Sequence, residues 1–188
     1  LGLMVIATLF LILTGLRIHL GYRVLIAQDR NYFNFNGVIR LVRSIVFLTL
    51  AIEGAGAVFL GFFLPEIWQD GIIRGAFFLV FHAVSAFNGA GFDLTGMSFH
   101  PFRGNLGFNL VIMALILLGS LGFVVLNELL GIRRAGNRRL SLHSRLVLWV
   151  TGGITFFGSF FYFGTEFSHG LGGLSWGQKV TESFFQTV

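Results

Sequence analysis

GAFFLVFHAVSAFNGAGF, residues 75–92, decides how this chain is folded. The 18 residues are largely apolar and His82 is their one ionisable side chain, so hydropathy alone predicts a membrane-crossing helix. The placement of charge argues otherwise. Ten of the 13 basic residues form two groups: Arg17, Arg23, Arg30, Arg40 and Arg43, then Arg133, Arg134, Arg138, Arg139 and Arg145. If residues 75–92 cross, the two groups face opposite sides of the membrane. If the segment dips in and returns, both groups share the cytoplasmic side, as the positive-inside rule requires. Segments 65–104 and 165–188 then lie together outside, with five of the eight acids: Glu66, Asp70, Asp93, Glu166 and Glu182. Re-entry satisfies both counts.

Composition sets the class. Of 188 residues, 55% are hydrophobic and 11% charged, with 26 Gly, 24 Phe and a mean hydropathy of +0.82. A soluble domain carries about 25% charged residues, and a globule of this length cannot hide so much apolar surface. The expected fold is an all-α integral membrane protein, with the lipid bilayer as its first partner. The net charge of +5 follows from basic clusters flanking apolar spans, so it reports topology and no nucleic acid is expected. The lack of Cys excludes disulfide scaffolds, thiolate metal sites and cysteine nucleophiles. Full spans are expected at 44–64, 105–127 and 146–164, at about 20 residues per crossing. Residues 1–16 lack a signal-peptide pattern and are expected to be the tail of a helix from an earlier unit.

The re-entrant segment ends in Asn88-Gly89-Ala90-Gly91-Phe92-Asp93, a poor helix former. A short helix over 75–87 therefore points its C-terminus at a glycine-containing turn. The carbonyl end of a helix favours cations, and exposed carbonyls on such a turn can replace a cation's hydration shell. Irregular backbone at membrane depth is tolerated where protein buries it or where it lines a watery cavity. On physical grounds two readings stand: an ion pore, or a passive loop between spans.

Internal similarity bears on that choice. With Arg43 placed on Arg145, Thr49 falls on Thr151, Ile52 on Ile154, Gly56 on Gly158 and Phe59 on Phe161. Leu1-Gly2-Leu3 likewise lies over Leu121-Gly122-Phe123, and Phe81-His82-Ala83-Val84 is echoed by Phe185-Gln186-Thr187-Val188. The expected organisation is the end of a first repeat at 1–26 and a cytoplasmic linker at 27–37. A complete second repeat follows at 38–130, with its re-entrant pore loop at 75–93. A basic cytoplasmic loop at 131–145 leads to the start of a third repeat at 146–188. Such units assemble around an axis, and one alone closes no pore, so the chain is expected to be a fragment.

Four strings carry a family resemblance. Phe81-His82-Ala83-Val84-Ser85-Ala86-Phe87-Asn88-Gly89-Ala90-Gly91-Phe92-Asp93-Leu94 resembles the second pore loop of the Trk/Ktr/HKT potassium transporters, and most of all the membrane subunit of bacterial Ktr systems. Gly37-Val38-Ile39-Arg40-Leu41-Val42-Arg43 is similar to the start of that family's second unit, and Arg139-Leu140-Ser141-Leu142-His143-Ser144-Arg145 to the start of its third. Glu182-Ser183-Phe184-Phe185-Gln186-Thr187-Val188 resembles the third pore helix. The resemblance implies repeated membrane helix–re-entrant pore helix–membrane helix units around a pseudo-fourfold pore. It implies a selectivity filter for K⁺ at Asn88, Gly89, Ala90, Gly91 and Phe92, with Gly91 as the one filter glycine of its unit. Family members commonly have Asn where this chain has Gly89. The resemblance further implies potassium uptake without a bound cofactor, Na⁺ as a coupling ion, and a location in the plasma membrane, the inner membrane of a bacterium. As partners it implies a second copy in a homodimer and a cytosolic nucleotide-binding ring of the RCK type, docked on the basic loops.

Four further side chains are candidate supports of the pore. Glu53 lies mid-span, where an ionised carboxylate is costly and faces a partner; it serves either the cation pathway or as an anchor for a neighbouring segment. His82 packs or braces the filter. Asp93 either concentrates cations at the mouth or caps the next turn. Ser85 completes the set. Ala51 with Ala55, and Ala57 with Gly61, have the four-residue spacing of close helix packing. Enzyme signals are lacking: no phosphate-binding loop, no zinc-protease motif, and five dispersed His. Ser85 with His82 is the local pair that a hydrolase would use, and no oxyanion site accompanies it. A proton- or sodium-coupled carrier would need more ionisable residues in its spans than Glu53 alone.

Overall fold

The computed structural model describes residues 35–135, 140–167 and 170–188. The expected first repeat at 1–26 and linker residues 27–34 lie outside the described residues, as do Arg138 and Arg139. All regular structure among the described residues is helical. The chain parts into two units, Leu1–Ala51 and Ile52–Val188. Of the first, the described part is residues 35–51, the leading turns of helix α1 (Phe35–Phe63). Residues 35–37, expected as the end of the linker, are already helical.

Within the second unit the chain descends and returns. From its C-terminus at Phe63, α1 passes through a 3-10 turn (Pro65–Asp70) into α2 (Ile72–Phe87). Helix α2 starts three residues before the expected Gly75: Gly71, at φ 105°, ends the preceding turn, and Ile72-Ile73-Arg74 hold no breaker. Helix α2 runs back down the face of α1, because Leu79 meets Gly61 while Asn88 reaches Glu53. Residues 88–105 then climb α2 again: Phe92 bonds Ser85, the Phe99 ring lies beside His82, and Phe102 lies beside Phe78. At the top, Asn105 Nδ2 donates to Phe63 O at 2.7 Å, while Asn105 Oδ1 accepts from Phe108 N at 3.0 Å. One amide thus caps α3 (Leu106–Leu121) and satisfies a carbonyl at the end of α1.

The run 105–127, expected as one span, is two helices. Helix α3 stops at Leu121 and α4 (Phe123–Ala135) leaves at 106° to it. The reason is Gly122, at φ 82° and ψ 156°, a backbone conformation that no L side chain adopts without strain. At 1.5 Å per residue the 16 residues of α3 cover about 24 Å, short of the ~30 Å hydrocarbon core. The expected loop 131–145 is also shorter than the sequence suggested. Residues 131–135 continue α4, since Arg is a good helix former, and α5 (Leu142–Glu166) begins before 145. Ser141 caps α5 by accepting from Ser144 N at 3.2 Å, and its own N–H and hydroxyl donate to Glu128 Oε2 on α4.

Helix α5 and the short helix α6 (Trp176–Thr187) repeat the plan of a long helix followed by a short one folded back. Thr187 lies against Gly158, and Lys179 donates to Phe167 O and sits over the Phe167 ring. Leu60, Leu79, Ala83, Phe87, Phe108, Ile112 and Leu115 form the buried interior. Other large apolar residues point outward, among them Val58, Phe59 and Phe62 on α1 and Trp149, Ile154, Phe157 and Phe161 on α5. In water such faces would be a liability; on a bilayer protein they meet lipid or neighbouring helices. Residues 43–63 and 142–166 are each long and apolar enough to cross a membrane.

Candidate ion-filter segment

The turn after α2 is built by local bonding. Gly89, at φ 63°, is the left-handed residue of a Schellman motif: Ala90 N donates to Ser85 O at 2.9 Å and Gly89 N to Ala86 O at 3.1 Å. Gly91, at φ 69°, is a second left-handed residue two positions on. A Cβ at either position would meet open space, so backbone conformation, and not crowding, requires glycine there.

Four braces hold this turn from behind. Ser85, buried, accepts from Phe92 N at 2.9 Å and donates to Phe92 O at 3.0 Å. Asn88 Nδ2 donates to Glu53 Oε1 at 3.0 Å and to Val84 O at 2.8 Å. His82, fully buried, has Nδ1 2.8 Å from Phe78 O and Nε2 3.2 Å from Asp93 Oδ1. The Phe78 carbonyl only accepts, so Nδ1 carries a hydrogen. Asp93 in turn accepts from Thr95 N at 3.0 Å and from Thr95 Oγ1 at 2.6 Å.

What these braces leave free is backbone. Among the described residues, no donor is hydrogen-bonded to the carbonyls of Asn88, Gly89, Ala90 or Gly91, and all four residues are exposed. The carbonyl of Phe92 is engaged by Ser85, so the run of unengaged carbonyls ends at Gly91. The close fit beneath the turn comes from α3: a Cβ on Gly119 would overlap the Phe87 carbonyl oxygen. Glu53 is ten residues before Phe63 on α1, so the turn bonded to it lies about 15 Å along the helix axis from that helix end.

All nine candidate residues thus fall in one neighbourhood, with separate duties. Glu53 is an acceptor for the turn and Asp93 caps the loop that leaves it. Ser85 and His82 do not pair with each other; each is committed to the returning strand. Asn105, Asn109 and Arg103 escaped the sequence reading. Asn109, buried, donates to Phe102 O and Arg103 O and so fixes the start of α3. The position of Asn105 just before the apolar run 106–118 was an available N-cap signal. Nothing local marked Asn109 or Arg103.

Two helices long and apolar enough to cross a membrane, with a shorter apolar helix folded back between elements, describe a membrane protein. A family model described as TrkH, cation transport protein, matches residues 1–157, and the chain belongs to that family, one of transport proteins and not enzymes. It is similar over its whole length to three curated bacterial proteins. Identity is 33% to the Ktr system potassium uptake protein D of Bacillus subtilis and 34% to the potassium/sodium uptake protein NtpJ of Enterococcus hirae. It is 30% to the Ktr system potassium uptake protein B of Vibrio alginolyticus. The chain spans 41–42% of the length of these relatives.

Proposed function

We infer that this chain is part of a potassium uptake protein of a bacterial plasma membrane, and that residues 88–91 supply one wall of its selectivity filter. The observation that carries this reading is a turn of four exposed residues, 88–91, whose carbonyls accept no hydrogen bond among the described residues and which Glu53 and Ser85 hold from behind. K⁺ sheds water and is held by these carbonyls and by equivalents from other units. No side chain does covalent chemistry. The aligned peptide dipoles of α2 favour positive charge at its C-terminal end. Phe92 and Ser85 lock the far end of the wall, and Glu53 with Asn88 the near end. The relatives' names support potassium as the cargo. Sodium as a coupling ion, a homodimer, and a cytosolic nucleotide-binding RCK ring on the basic loops belong to the same proposal.

The test is Rb⁺ uptake at micromolar external K⁺, using the full-length parent protein in a bacterium lacking potassium uptake. Gly91→Ser forces a side chain into a left-handed position, at a cost of roughly 1–2 kcal/mol per such residue. With the protein at normal abundance in the membrane, we expect lower K⁺ affinity or lost preference for K⁺ over Na⁺. Unchanged transport by Gly91→Ser would place the filter elsewhere.

A further inference from the structure

One ion pair joins the two repeats. Arg103 stands in the returning strand, two residues before the Asn105 cap, and Glu182 on α6, in the next unit. Arg103 Nε lies 3.2 Å from Glu182 Oε1, in a geometry short of a hydrogen bond, with side-chain exposures of 28% and 12%. The same guanidinium donates through Nη2 to Gly170 O at 2.9 Å, ahead of α6. Both ends are fixed by their own units. Asn109 Nδ2 holds the Arg103 carbonyl at 3.1 Å, and Gln186 Nε2 donates to Glu182 Oε1 at 3.3 Å. The Phe99 and Phe185 rings meet edge-on at 6.1 Å beside the pair. A guanidinium has donors for two sites at once, where a lysine has a single ammonium.

We propose that Arg103 is a positioning residue, setting the distance between the filter wall of the second repeat and the pore helix of the third. The inference rests on the filter reading of residues 88–91. Arg103 stands at one end of the returning segment 92–103, whose other end, Phe92, is clamped to Ser85. A filter selects by the spacing of carbonyls drawn from different units, so a slack tie between units loosens selection without removing a ligand. Beside the pair lies a cavity lined by Asn109, Glu182 and Gln186, where water can replace a shortened side chain.

The experiment is Rb⁺ uptake with Na⁺ competition by the full-length parent protein, normalised to the amount in the membrane. The variants are Arg103→Gln, Glu182→Gln, Arg103→Lys and the double variant Arg103→Gln with Glu182→Gln, with Gly91→Ser alongside. Each neutral variant is expected to raise KM for K⁺ roughly two- to tenfold, with maximal uptake per copy little changed, matching a tie worth ~0.4–1.4 kcal/mol. Arg103→Lys should fall between, and the double variant should be little worse than the poorer single one. A fall in maximal uptake or abundance with KM and Na⁺ competition unchanged would overturn the proposal, leaving Arg103 a structural residue. Fully additive losses in the double variant would also overturn it. If Gly91→Ser alters selection and the Arg103 variants do not, the tie fails and the filter reading stands. If Gly91→Ser changes nothing, both fall.

Discussion

Glu53 and Asn88 show how one polar contact settles a side chain's duty. Glu53 is 8% exposed and its partner is the amide of Asn88 at the foot of the turn, so the buried acid has a donor. Asn88→Ala removes that donor and leaves a buried acceptor unmatched, a loss of about 1–3 kcal/mol. Glu53→Gln keeps an acceptor oxygen and should cost less. Thermal unfolding of the detergent-solubilised full-length protein checks the order; a larger loss for Glu53→Gln would mean that the charge matters for itself.

Helices in this chain end where backbone geometry says so, and that was the part least visible in the sequence. Hydropathy located α1, α2 and α5, because an apolar run of the right length is a statement about composition. It could not see Gly122, which is one more small residue in an apolar run until its φ is known. The turn at 88–91 was legible through its glycines and its family resemblance; its braces were half legible. His82 and Ser85 stood out as polar residues on an apolar helix, whereas Asn109 and the Arg103–Glu182 pair depend on contacts between distant segments. Gly119 offers the test at this scale. Any side chain there overlaps the Phe87 carbonyl, so Gly119→Ala must push α2 and α3 apart. Impaired uptake is expected from protein still present in the membrane, and a fully active Gly119→Ala would mean that the contact is looser than drawn.

For the molecule as a whole, the arrangement of spans determines which surfaces face which compartment. If α2 dips and returns, the segments before and after it open on the same side. In a cysteine-free background of the full-length protein, Glu66→Cys and Gly104→Cys should both react with an impermeant maleimide added to whole cells. Arg145→Cys should react once the membrane is permeabilised. Reaction of Glu66→Cys and Gly104→Cys from opposite sides would make residues 72–87 a crossing helix. The basic groups belong to this scale too, since no single arginine sets the topology and their sum does.

The Asn105 amide bonded to the Phe63 carbonyl joins residues 42 apart. The segment that bears the turn is therefore a closed loop, and its closure costs roughly 3 kcal/mol of chain entropy by (3/2)RT ln n. Contacts local in sequence, such as Ser85 with Phe92 seven residues on, do not depend on that closure. What the tie constrains is the base of the loop, and so where the turn stands against α1 and α3, while the turn's own bonding is set locally.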